Sequence, residues 1–483
     1  MIGGDPIDPN APNPSKTTEL HRHFGLMHAV ALNVSMMVGA GVFVTIPLML
    51  LHVPGPYSLL IWVAAGVLML MDGLVWSELA AALPGSGGSY VYMLECYGKK
   101  RWGRWMAFLF VWQFLISGPL EVASGLITMA TIATALHPVF KSFSWTISDP
   151  DTGLGIVVDP ARLMVCLCGL FIIGLLYRSI ASLGRLTITV WLGVLAVIGW
   201  ILVEGVLRFD PAVAFDFGGR AATWPADFGI ALGGVGQAMI LAMYAYLGYY
   251  TVCYIGDEVR DPGRTLPRAI QISSLLACVL FIGLHLAMLG VVSWQAVPPI
   301  KKDLDDYSLA AAFMKQIHGD WAVVLVTLLL IWSCFGSTYA GMLGYSRIPY
   351  GAARHGHFFA AFASVHPGYR IPHISLLLVG GMTLFWVFFD LEIVINTLLA
   401  TRILEQFIGQ IIGVLLLRRY QPERPRPYRI WLYPLPCLLA LVGWLFMYFS
   451  AGLLFVGIGA ATMAVGTVVF LAWSRWTDDW PWR

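Results

Sequence analysis

Four ionisable side chains stand inside otherwise apolar runs: Asp72, Glu121, Arg402 and Glu405. Such groups are costly at membrane depth and mark proton relays, ion pairs or substrate contacts. Glu121 follows Pro119 in "LISGPLEVASG" and has no partner nearby in the sequence. That suits a proton carrier, a counter-ion for a cationic substrate, or a partner for Arg402. Arg402 and Glu405 are three residues apart, can share a helix face, and are expected to pair with each other. His285, in a further apolar run, is expected to be a hydrogen-bonded packing residue. Ser337 and Thr338 carry hydroxyls suited to a cation, a coupling role to set beside that of Glu121.

Other chemistries are missing. The seven cysteines are scattered, with no CxxC and no metal-ligand spacing, and read as reduced packing residues. No His–Asp or Ser–His arrangement gathers near one interface and the loops are short, so neither an enzyme nor a cofactor or metal protein is expected. A net charge of +2 without a long basic run argues against a nucleic-acid partner.

The elements that hold these residues belong in a lipid bilayer. The chain has 483 residues, 58% of them hydrophobic and only 12% charged, and a mean hydropathy of +0.76. Soluble domains carry roughly 25% charged residues. A hydrocarbon core about 30 Å thick asks for roughly 20 apolar residues per helix. That ruler predicts twelve spans, near 28–50, 56–82, 105–134, 160–178, 185–207, 228–255, 270–293, 320–345, 373–390, 391–417, 430–450 and 453–474. The ninth and tenth meet at "FFDLE", which needs a tight turn. With both ends inside, 21 of the 29 Lys and Arg fall on the cytoplasmic side and 7 on the other, with Arg402 in a span. The polar, proline-rich 1–27 and the short 475–483 are then cytoplasmic tails, and 1–27 has no signal-peptide character.

Two spans contain weak points. The first carries "SMMVGAGVF", with Gly39 and Gly41 around Ala40. The sixth carries "GQAMILAMYAYLGYYTVCYIGDEVR", with a break expected at Tyr246–Gly248. These spans open two five-helix halves, 28–207 and 228–417, with 430–474 as two added helices. Five is odd, so the halves must have opposite orientations. Broken helices at matching places of inverted halves point to a midplane site in a secondary transporter. Irregular backbone survives at that depth only when buried in protein or lining a cavity. Free N–H groups at a half-helix N-terminus suit an anion, and carbonyls at a C-terminal end suit an ammonium group. A zwitterion of amino-acid size satisfies both.

The motifs resemble the amino acid–polyamine–organocation (APC) transporter superfamily. Gly39-Ala40-Gly41-Val42-Phe43 is similar to its first-helix G-[SA]-G-[IV]-F pattern. Glu78-Leu79, Pro84, Gly87-Gly88 and Tyr90 follow its second-helix pattern. Glu258, Val259, Asp261, Pro262, Arg264, Pro267, Arg268 and Ala269 follow the pattern after its sixth helix. "SRIPYGAARHG" and "RPRPYRIWLYPLP" resemble later family segments, so the match runs in order along nearly the whole chain.

The resemblance implies an all-α, polytopic LeuT-like fold of twelve transmembrane helices. Helices one to ten form the 5+5 inverted repeat, and helices one and six are broken at mid-membrane. It further implies that the amides of Gly39, Ala40 and Gly41 receive a substrate carboxylate. The carbonyls of Met37, Tyr244, Ala245 and Leu247 would receive its amine, Tyr244 or Tyr246 would cover the ligand, and Gly248 would let the sixth helix unwind.

Many relatives carry a lysine in the fifth helix, and "GRLTITVWLGVLAVIGWILVEG" has none. Exchange, proton coupling elsewhere, or sodium at Ser337 and Thr338 remain. The uncharged "LGYY" and Ala40 favour neutral amino acids. The other readings are a cationic amino acid or polyamine carrier, a sodium symporter, or a membrane sensor or channel. The 135–159 connection lacks a cysteine where heterodimeric relatives place theirs, so a disulfide-linked accessory subunit is not expected. An integral protein of the plasma (inner) membrane is expected, with lipid, an amino acid and a proton or sodium as its partners.

Overall fold

The computed structural model describes residues 24–477 except 40, 86, 135, 149–154, 178–182, 225–227, 300–306 and 370, with backbone alone at 100, 101, 138, 141, 148, 183–192 and 257. The predicted tails 1–27 and 475–483 thus lie largely outside the described residues. In order, the helices are α1 Leu26–Met37, α2 Gly41–His52, α3 Tyr57–Ala82, α4 Ser89–Cys96, α5 Gly103–Ala133, α6 Pro160–Leu176 and α7 Leu183–Leu207. Next come α8 Pro211–Ala214, α9 Phe228–Tyr246, α10 Pro262–Leu289, α11 Leu309–His318, α12 Asp320–Tyr345 and α13 Arg347–Arg354. The last are α14 His373–Trp386, α15 Leu391–Arg402, α16 Gly409–Tyr420, α17 Leu435–Ser450 and α18 Leu453–Trp476.

Seven helical stretches among the described residues are long and apolar enough to cross a bilayer, and α1 with α2 forms an eighth, bent by 48°. This is a polytopic helical membrane protein. The long helices are apolar on most faces, so that both lipid and protein contacts are served. α5 is largely enclosed, with residues such as Phe108, Phe110 and Leu120 fully buried. It packs against α12, α15, α14, α6 and α18. α3 packs chiefly on α10, and also on α9 and α17.

Three features depart from the sequence reading. The fold is not wholly α: β1 Trp145–Ser148 and β2 Gly155–Val158 pair antiparallel, Trp145 opposite Val158. Their β-branched and aromatic residues fit a pleated surface better than a helix. Val157 N–H also donates to the Phe388 carbonyl at 2.7 Å. The sixth apolar run, expected to 255 with a break at Tyr246–Gly248, does leave the α-helix at Tyr246 but does not resume it, continuing instead as turns and short 3₁₀ segments. α10 starts at Pro262, eight residues before the predicted 270, because proline at the first helical position lacks only an N–H that would be unpaired there. At "FFDLE" the expected tight turn forms, and the Asp390 side chain accepts from Glu392 N–H at 2.9 Å to start α15.

Candidate functional site

The two weak stretches become two interruptions. α1 ends at Met37, where Val38 N–H closes the last turn on the Val34 carbonyl at 2.7 Å. α2 begins at Gly41, so its first amides have no intrahelical acceptor. α9 ends at Tyr246, and Leu247 N–H returns to the Tyr244 carbonyl at 3.2 Å. The carbonyls of Ala245 and Tyr246 accept no backbone N–H from Tyr249 or Tyr250 among the described residues. Gly248 sits at φ +113°, and a Cβ there would meet Met36 Cβ at 2.8 Å. Only glycine lets the two interrupted backbones approach this closely.

Between them lies a cavity with about 690 Å³ of empty space, counting its open mouth. Met37, Gly39 and Gly41 line it from the first interruption, and Tyr244, Ala245 and Leu247 from the second. Glu121, Ser337 and Thr338 complete it from α5 and α12. A Cβ on Gly39 would point into open space, and one on Gly41 would stand 3.4 Å from Tyr244 Cε1. Ala40 lies outside the described residues.

Two expected residues are elsewhere. Gly248 packs on Met36 behind the cavity wall. Tyr246 points away from the cavity: its hydroxyl donates to the Trp62 carbonyl at 3.3 Å, and its ring stacks on Phe281. Residues two apart on a helix lie about 200° around its axis, so Tyr244 and Tyr246 cannot face one ligand together. Tyr244 is the one that faces the cavity. Ser124 Oγ donates to the Glu121 carbonyl at 2.5 Å, which leaves Tyr244 as the donor in its 2.7 Å contact with Ser124.

The expected Arg402–Glu405 pair does not form. Arg402 Nη1 lies 2.5 Å from Glu121 Oε2. Residues Ile403–Ile408 form a π-helical run, and its wider turn carries Glu405 off the α-helical i,i+3 position. Both Glu405 oxygens are buried with no hydrogen-bond partner among the described residues. Arg402 is enclosed further by Ser117 Oγ at 3.1 Å, Tyr250 OH at 3.3 Å and the Phe114 ring at 5.3 Å. Its contact to Glu121 is ionic more than directional, since Oε2 accepts no well-aimed N–H.

Sequence reasoning missed the rest of the α5 and α12 walls. Glu121, Gly125 and Thr128 recur at i, i+4 and i+7, and Cys334, Thr338, Gly341 and Tyr345 recur at similar spacing. That periodicity was readable outward from Glu121 and Thr338. Ser337 Oγ already donates to the Cys334 carbonyl at 3.0 Å, while Thr338 Oγ1 is buried without a partner among the described residues. His285 is a packing residue, accepting from Trp62 Nε1 at 2.7 Å. All seven cysteines are free.

Residues 24–471 match the amino acid permease family model, and the chain belongs to that family, within the APC superfamily. It is a membrane transporter and not an enzyme. The human cystine/glutamate transporter is 27% identical over 435 residues, covering 89% of this chain and 80% of that protein. The rabbit (Oryctolagus cuniculus) large neutral amino acids transporter small subunit 2 is 26% identical over 482 residues, 97% of this chain and 83% of that protein. The serine/threonine exchanger SteT of Bacillus subtilis is 26% identical over 433 residues, 89% of this chain and 90% of that protein.

Proposed function

We propose that the protein carries amino acids with neutral side chains across the plasma (inner) membrane by alternating access, as an exchanger or coupled to protons. The observation that carries this reading is that both helix interruptions open on one cavity. Gly41 at the start of α2 lines it from one interruption, and Tyr244 and Ala245 at the end of α9 from the other. A free amide cluster and a carbonyl cluster fit the carboxylate and ammonium of a zwitterion. In this reading Met37, Gly39, Ala40, Gly41, Tyr244, Ala245 and Leu247 grip the common part of the substrate. The side chain then meets α5 and α12.

The related proteins support this division of labour. Their names specify cystine and glutamate, large neutral amino acids, or serine and threonine. These share the α-amino and carboxylate groups and differ in the side chain. Glu121 favours neutral cargo here because Arg402 already neutralises it. A cationic amino acid or polyamine would have to compete with a buried guanidinium.

Seven long spans, the bent α1–α2 pair and four shorter apolar helices (160–176, 193–207, 373–386 and 435–450) support twelve crossings. We read them as five plus five plus two, with repeats at 28–207 and 228–417 and both termini cytoplasmic. Interruptions at the start of each repeat are what a transporter rocking around a fixed site requires.

The test is a thermal-shift screen of purified protein against L-amino acids and polyamines, with and without sodium, at two pH values. A ligand that binds the folded state raises its melting temperature by mass action. The stabilising amino acid should then show counterflow in proteoliposomes. Binding without counterflow would make the protein a sensor, and stabilisation by polyamines alone would overturn the neutral-cargo reading.

A further inference from the structure

We propose that Asp72 is the proton-binding residue that couples to movement of the unwound segment after α9; this rests on the transporter reading above. Asp72 lies on α3 and is 1% exposed. Its Oδ2 accepts from Tyr249 OH, and its Oδ1 accepts from Trp444 Nε1 of α17 at 3.0 Å. One turn along α3, Trp76 Nε1 is buried with no hydrogen-bond partner among the described residues. A third neutral donor therefore stands on the same helix face.

Among the described residues no cation pairs with this carboxylate. The groups that face it are Tyr249 from the unwound segment, Trp444 and Cys437 from α17 and Trp76 from α3. The ionic groups nearby in the chain are spoken for: Glu78 at the end of α3 pairs with Arg418. A lone carboxylate at membrane depth, held by neutral donors, is the kind of group that proton relays use.

Tyr249 gives the charge state a mechanical output. Its backbone carbonyl accepts from Asn33 Nδ2 of α1 at 2.6 Å, and Asn33 Oδ1 accepts from Val252 N–H at 2.9 Å. Its neighbour Tyr250 accepts from Arg402 Nη1 at 3.3 Å and stacks on Trp76 at 4.4 Å. Residues 247–250 thus tie α1, α3, the Arg402–Glu121 pair and the cavity wall at Leu247.

An ionised carboxylate is acceptor-only and takes both donors. When a proton from the adjoining water phase forms an O–H bond on Oδ2, that oxygen becomes a donor facing another donor. Tyr249 must turn its hydroxyl or let go, and a charge-assisted bond is exchanged for a weaker neutral one. The hold on 247–250 loosens with no other bond made or broken. Release of the same proton to the opposite water phase restores it.

The test uses the whole protein in proteoliposomes, with labelled L-leucine and L-serine as probes between pH 5.5 and 8. Infrared pH-difference spectra of the carboxylic C=O band read the proton without any substrate. In the wild type the band should titrate with the uptake midpoint. Asp72→Asn should lose both the band and the pH dependence, while still exchanging substrate in counterflow. Tyr249→Phe keeps the carboxylate but removes a donor to its charged form, so both midpoints should move alkaline by about one pH unit or more. If Asp72→Asn does not fold, Tyr249→Phe and Trp444→Phe carry the test. A wild-type pH profile in Asp72→Asn, unmoved midpoints in Tyr249→Phe, or no titrating band in the wild type would overturn the assignment. Loss of wild-type counterflow with the band intact would instead count against the transporter reading alone.

Discussion

Arg402 on α15 reaches across to Glu121 on α5, bringing Nη1 to 2.5 Å from Oε2 at the edge of the cavity. Arg402 is 1% exposed and Glu121 16%, so neither charge is well solvated. Breaking a buried pair by removing one partner costs about 3–5 kcal/mol, whereas removing both together costs far less. Arg402→Met should therefore lower the melting temperature of the detergent-solubilised protein sharply. Arg402→Met combined with Glu121→Gln should recover most of that loss. Single effects that simply add would show that the two side chains do not interact.

The same pair sets a selectivity prediction. Arg402→Met leaves a free carboxylate lining the cavity, so thermal stabilisation should shift from neutral amino acids toward L-arginine and putrescine. Arg402→Met, Glu121→Gln should not acquire that preference. Unaltered ligand ranking in the single variant would remove Glu121 from the substrate's surroundings.

Gly248→Ala probes the contact between the two interruptions. The substitution places an L side chain at φ +113° and a Cβ 2.8 Å from Met36 Cβ. Backbone strain of this kind costs about 1–3 kcal/mol. The expected outcome is a lower melting temperature together with weaker ligand stabilisation, because relief requires α1 and the segment after α9 to separate. Gly39→Ala is the control, since a Cβ there meets nothing within 4 Å; its melting temperature should stay close to wild type.

Gly41 separates cavity space from fold. An added Cβ stands 3.4 Å from Tyr244 Cε1, an ordinary contact, so Gly41→Ala should bind ligand with modest loss. Gly41→Leu extends past that contact and should abolish ligand-induced stabilisation while the protein stays monodisperse. Undiminished stabilisation in Gly41→Leu would take the start of α2 out of the binding site.

The two interruptions were legible in the sequence because glycine and apolar length are local properties. "SMMVGAGVF" and "YAYLGYY" advertise weak helix wherever they fold. The Arg402–Glu121 pair was legible only as one of three roles open to Glu121, since choosing it depends on a π-helical run that changes the face presented by Glu405. Local spacing instead favoured the wrong partner. Tyr246 failed for the opposite reason: its type suited a gate, but helical phase turned it toward Trp62. The paired strands at 145–148 and 155–158 were hidden inside a connection read only for its lack of cysteine. Asp72 was visible as an anomaly, yet its partners Tyr249 and Trp444 lie 177 and 372 positions away.

Arg418 offers a last test, of a contact that fixes the end of α3. Arg418 Nε donates to Glu78 Oε1 at 2.8 Å and Nη2 donates to Oε2 at 2.5 Å, while Ile430 N–H also donates to Oε2 at 2.8 Å. The guanidinium lies 3.7 Å over the Tyr433 ring. Glu78 is fully buried, so its charge depends on these donors. Lysine keeps the positive charge but can neither bridge both oxygens nor stack flat on tyrosine. Arg418→Lys should therefore destabilise the protein by about 1–3 kcal/mol, read as a lowered melting temperature. Tyr433→Leu, which removes the stacking and keeps the fork, should cost less. If Arg418→Lys melts like the wild type, a point charge suffices and the bidentate geometry contributes nothing to holding α3 against α16 and the connection at 421–434.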